Sequence, residues 1–87
     1  MDLSTRLEIE AHLREATERA RLSYESAKQQ YQCAMEHYRI LGATHPDGAA
    51  SLQQAIRAQT IAMEEYSRAL MDFNGFILNG KRPEHLK

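Results

Sequence analysis

The sequence predicts an all-α fold: a long antiparallel two-helix hairpin that dimerises into a four-helix bundle. Three observations predict it. Residues 5–41 contain no Gly or Pro. The one strong break, Gly42-Ala43-Thr44-His45-Pro46-Asp47-Gly48, falls near the middle of the 87 residues. On both sides of it, apolar and aromatic residues recur at alternating spacings of three and four, the pattern of helices that pack along a seam.

The first helix is expected over about 5–41. It is rich in Ala, Glu, Arg, Gln and Leu, all favourable helix formers. Thr5-Arg6-Leu7-Glu8 fits a capping box, in which hydroxyl and carboxylate each satisfy a free amide. Pairs four apart, Glu10 with Arg14, Glu15 with Arg19 and Arg21 with Glu25, support its surface. Gly42 supplies the left-handed residue that ends such a helix. Pro46 and Asp47 suit a tight turn or the first turn of the next helix. The turn is read as 42–48 and the second helix as about 49–78. Gly75 lies inside that helix because Phe76, Ile77 and Leu78 continue the apolar pattern, and Asn79-Gly80 followed by Pro83 is its stop. Residues 1–80 thus form one hairpin, and 81–87 a flexible basic tail.

In the first helix, Thr17, Tyr24, Tyr31 and Tyr38 share one heptad position, and Leu13, Ala20, Ala27, Ala34 and Leu41 share another. In the second, the stripe reads Leu52, Ile56, Gln59, Met63, Tyr66, Leu70, Phe73, Ile77. Folding about His45 and Pro46 sets Ala34 against Ile56, Ala27 against Met63, Ala20 against Leu70 and Leu13 against Ile77. The layers between pair Tyr38 with Leu52, Tyr31 with Gln59, Tyr24 with Tyr66 and Thr17 with Phe73. Small opposes large in the alanine layers, as close packing asks. A second register is open: Ala55, Ala62 and Ala69 as the seam, with Ile56, Met63 and Leu70 outside. By the first register Leu3, Leu7 and Ile9 overhang the second helix.

Under the first register one flank carries Arg14, Arg21 and Lys28 with Gln53, Thr60, Ser67 and Asn74, a solvated edge. The other carries Ala16, Ser23, Gln30 and His37 beside Ala55, Ala62, Ala69 and Phe76. This flank is small and weakly polar, so it is the expected oligomer interface. Both registers leave an apolar flank uncovered. Two helices this short struggle to offset an ordering entropy of ~1.5 kcal/mol per residue by burial, and a symmetric pair of hairpins is the simplest remedy. A homodimer is therefore the expected state, with another helical protein as the alternative mate.

Composition narrows the function classes. Apolar residues are 43% and charged residues 26% of the chain, as suits a folded protein. Eleven basic against 12 acidic residues give a net charge of -1, which argues against nucleic-acid binding. No stretch approaches the ~18 apolar residues of a membrane helix, and the charged start has no signal-peptide core. The expected location is cytoplasmic. Cys33 stands alone, so no intrachain disulfide holds the fold.

The chemical constellations are weak. Cys33 and His37 lie four apart on one helical face, but two ligands do not make a metal site. Glu-x-x-His is absent. Tyr24, Tyr31, Tyr38, Gln59 and Tyr66 place polar tips in an apolar seam, the one candidate ligand pocket. No cofactor is expected. His45-Pro46-Asp47 resembles the tripeptide of co-chaperone J-domains, but Glu36–Leu41 lacks their basic run and the chain has no room for their four helices. All-helical chorismate mutases share the long first helix and a basic row, here Arg14, Arg21 and Lys28, but no motif of theirs aligns. Small Trp-x-Gly hairpins share the length, yet this chain has no Trp. The expected function is a non-enzymatic interaction or assembly module acting through self-association. The alternative is a small-molecule-binding or catalytic bundle using the tyrosine seam.

Overall fold

The computed structural model describes residues 2–42 and 46–80. It contains two helices, α1 over Leu3–Leu41 and α2 over Pro46–Asn79, packed against each other along their lengths. The described residues contain no strand. Residues 43–45 of the expected turn and the 81–87 tail lie outside the described residues. No helix among the described residues is long and apolar enough to cross a membrane.

Local chemistry sets the helix ends. Helix α1 starts one turn earlier than the capping box implied. Asp2 is the N-cap, and its carboxylate accepts the Thr5 N–H at 2.8 Å. That bond holds the Asp2 carboxyl below its ordinary range, because a hydrogen bond to the charged form favours ionisation. Asp and Thr are both good caps. With Asp2 in that role, Thr5 becomes a residue of the first turn. At the other end Gly42, at φ 84°, donates its N–H to the Tyr38 carbonyl at 2.9 Å. Helix α2 begins on Pro46, whose missing N–H costs nothing in a first turn. It runs through Gly75 and stops before Gly80, at φ 64°, whose N–H reaches the Phe76 carbonyl at 2.9 Å.

The α1 seam follows the heptad reading. Leu13 and Ala27 are buried, and Thr17, Ala20, Tyr24, Tyr31, Ala34 and Tyr38 are half-buried. The exception is Leu41, which is exposed. Helix α2 takes the second of the two registers. Ala55, Ala62 and Phe76 are buried and Ala69 is half-buried, while Ile56, Met63 and Ile77 are 44%, 48% and 39% exposed. The pairings of Ala34 with Ile56, Ala27 with Met63 and Leu13 with Ile77 are therefore corrected. Leu13 packs with Ile9 and Phe76 instead, and Phe73 closes over that cluster.

The physical reason is the distance between the helices. Alanines on both sides of the seam let the backbones come close. The hydroxyl of Thr17 donates to the carbonyl of its own Leu13 at 2.8 Å and reaches the Ala69 carbonyl across the hairpin at 3.3 Å. Gly48 contributes at the turn end, where the Leu41 side chain and the Tyr38 backbone lie within 4.0 Å of the site a Cβ would occupy. Larger residues at 56, 63 and 77 would hold the helices apart. They rotate outward, and Phe76 fills the open end of the hairpin instead.

Candidate interaction surface

The seam leaves two edges along the rod, and the structure shows which residues share each. On one, Ala16 shares a shallow groove with Glu65, Arg68 and Asp72, and Gln30 shares another with Ser51 and Ala58. Of the expected oligomer interface, Ala16 is half-buried and Ser23, Gln30 and His37 are exposed on this edge. Its other half is largely withdrawn from the surface: Ala55, Ala62 and Phe76 are buried in the hairpin's own seam, Phe76 at 1% exposure, while Ala69 is half-buried and lines the groove beside Ala16. This is the direct consequence of the register.

The opposite edge then carries Arg14, Arg21 and Lys28 from α1 together with Ile56, Met63, Leu70 and Ile77 from α2. Each of these α2 residues follows a seam residue by one position and so points about 100° away from it. The neutral row Gln53, Thr60, Ser67 and Asn74 lies just outside them and is exposed. What the first register made a solvated edge is in the structure a mixed edge with an apolar stripe.

Two of its three cations, Arg14 and Arg21, are paired. Arg14 bonds Glu10 at 2.7 Å and its guanidinium lies over the Phe73 ring, 5.9 Å from the centroid. Arg21 grips Glu18 through two bonds, 2.6 and 3.1 Å. The guanidinium holds the Glu18 carboxyl below its usual range, and the Arg21 pKa is raised in return. Arg21 thus pairs backward with Glu18 rather than forward by a hydrogen bond to Glu25, and Glu25 adds only a longer-range attraction. Exposed pairs of this kind contribute little to stability. They do leave the rim of the stripe close to neutral.

The residues of the candidate ligand pocket line the seam. Tyr24, Tyr31, Tyr38, Gln59 and Tyr66 are all half-buried in the seam. The rings of Tyr24 and Tyr66 stack on each other, with centroids 6.0 Å apart and planes at 28°, as the expected pairing of these two residues requires. Cys33 and His37 are exposed on α1, and among the described residues no group of three or more His, Cys, Asp or Glu side chains comes together to hold a metal. The paired rows of an outer apolar stripe were visible in the sequence. Which row lay outside was not.

Comparison with protein-family models, with curated proteins and with solved structures gave no match to this chain.

Proposed function

We propose that this chain is a non-enzymatic helical interaction module that works by self-association, two hairpins completing a four-helix bundle. The observation that carries the reading is the imbalance of apolar surface. Among the described residues the buried apolar set is Ile9, Leu13, Ala27, Ala55, Ala62 and Phe76, half of it alanine. Twelve large apolar side chains among the described residues are exposed.

The shape makes the same point. The molecule is a rod of 60 × 17 × 17 Å with an accessible surface of 6545 Å². A compact monomer of 10.0 kDa exposes about 5200 Å². Fully burying an Ile, Leu or Met side chain contributes about 1.5–3 kcal/mol. Half-exposed residues such as Ile56 and Met63 forgo roughly half of that until something covers them.

A second copy is the preferred cover because the stripe Ile56, Met63, Leu70 and Ile77 and the row Gln53, Thr60, Ser67 and Asn74 beside it are uncharged, and Arg14 and Arg21 at the rim are already paired within α1. A different helical protein is the alternative mate. The even balance of charge gives no surface suited to nucleic acid. A single exposed thiol, Cys33, suits a reducing, cytoplasmic setting. Thermal unfolding at a series of protein concentrations tests the reading. A pair that unfolds as it dissociates melts higher as concentration rises, whereas a melting temperature independent of concentration contradicts self-association.

A further inference from the structure

Two adjoining rows on the outer edge of α2, the 56/63/70 stripe and the 53/60/67/74 border, together are close to a palindrome in chemical type, with Glu64 and Met71 beside them. Reading from Gln53, the two rows run amide, aliphatic, hydroxyl, methionine, hydroxyl, aliphatic, amide: Gln53, Ile56, Thr60, Met63, Ser67, Leu70, Asn74. Ile56 and Leu70 stand seven residues either side of Met63. Thr60 and Ser67 stand three and four away, and Gln53 and Asn74 ten and eleven. None of the seven is charged. All but Leu70, which is half-buried, are exposed.

An isologous interface needs such a pattern, since each residue must meet what its symmetry mate offers. Laid antiparallel on a second α2 with Met63 at the centre, aliphatic meets aliphatic, hydroxyl meets hydroxyl and amide meets amide, each within one residue. The alternative two-fold, parallel to the helices, does not match. It would lay the Ile56–Leu70 stripe of one copy on the Arg14, Arg21 and Lys28 row of the other and so bury cations against hydrocarbon.

Resting on the self-association reading above, we infer that the second copy docks α2 against α2 in antiparallel sense, with the two-fold axis crossing the helices at Met63. The contact covers about six turns, roughly 33 Å of helix at 1.5 Å per residue. Its apolar centre and hydrogen-bonding borders both come from one helix. Helix α1 borders the contact with the Glu10–Arg14 and Glu18–Arg21 pairs and with Lys28, at the rim rather than on hydrocarbon.

Disulfide trapping tests this in the full chain, with Cys33→Ser to remove the native thiol and circular dichroism to confirm helicity. Met63→Cys sits on the axis and is expected to oxidise to a covalent dimer in most of the protein. Ile56→Cys alone is expected to give little covalent dimer. An equimolar mixture of Ile56→Cys with Leu70→Cys is expected to give a cross-linked pair. The docking is overturned if light scattering shows the mass of a dimer while neither Met63→Cys nor the Ile56/Leu70 mixture cross-links. Self-association itself would then stand. A monomer mass for the unmodified chain overturns both.

Discussion

The Thr17 hydroxyl lies 3.3 Å from the backbone carbonyl of Ala69 across the two helices. A side chain this short spans the gap only if the helices sit close, and it bonds a peptide carbonyl already used within α2. Close approach is therefore a property of the whole alanine-lined seam. The first predictions concern that seam.

Ala62 is 7% exposed in the middle of the hairpin. Ala62→Leu forces the helices apart and is expected to cost about 1–3 kcal/mol, the usual penalty of overpacking. Ala62→Glu would bury an unpaired carboxylate at the same place and should abolish the cooperative urea transition. An Ala62→Leu chain as stable as the parent would contradict the close-packed seam.

Phe76 is the one fully buried large side chain among the described residues, and it covers Ile9 and Leu13. Phe76→Ala leaves a cavity at the open end and is expected to cost about 3–5 kcal/mol. That is a large share of the 5–15 kcal/mol typical of a native domain. Urea midpoints read it directly, and Ile77→Ala, one position on and outside the seam, should cost the isolated hairpin far less.

The first turn of α1 should respond to acid. The Asp2 carboxyl has its folded-state pKa lowered by the Thr5 N–H. A depressed pKa means the cap's contribution is fully present above the unfolded value, near 4, and is lost as pH falls through the folded value. Amide protection factors at Thr5 and Arg6, taken relative to the intrinsic exchange rate at each pH, should therefore fall on acidification below about pH 4. Asp2→Asn keeps a capping oxygen without the titration and should flatten that dependence; an unchanged pH profile in the variant would rule Asp2 out as its source.

Met63→Glu places a charge at the centre of the outer stripe without touching the seam. The expected result is loss of the dimer, with the hairpin's melting temperature falling to the value the parent reaches at high dilution. Thr60→Glu, in the neutral border row, should weaken association less. A Met63→Glu protein that keeps the parent's mass in solution would place the interface elsewhere.

The sequence makes α1 legible because that helix has a single apolar stripe: tyrosines and alanines at heptad spacing leave only one face to bury. Helix α2 has two, 55/62/69/76 and 56/63/70/77, one residue apart. Counting hydrophobic residues favours the larger side chains, whereas the packing favours the smaller, because closeness of the backbones outweighs the bulk of any one residue. This step decides which α2 row faces outward and leaves the hairpin itself unchanged, since either stripe pairs with the same α1 face. The N-cap was misplaced for a similar reason: Asp2 and Thr5 are both competent, and the helix takes the one that adds a turn. The tyrosine row at heptad spacing reads first as packing, and Tyr66 stacked on Tyr24 is one such contact.

The central claim is that the hairpin's outer stripe is covered by a second copy. Light scattering of the unmodified protein as it leaves a gel-filtration column, at tens of micromolar, measures this most directly. The account predicts twice the 10.0 kDa chain mass. A fully helical species of 10.0 kDa at that concentration, melting cooperatively on its own, would contradict it.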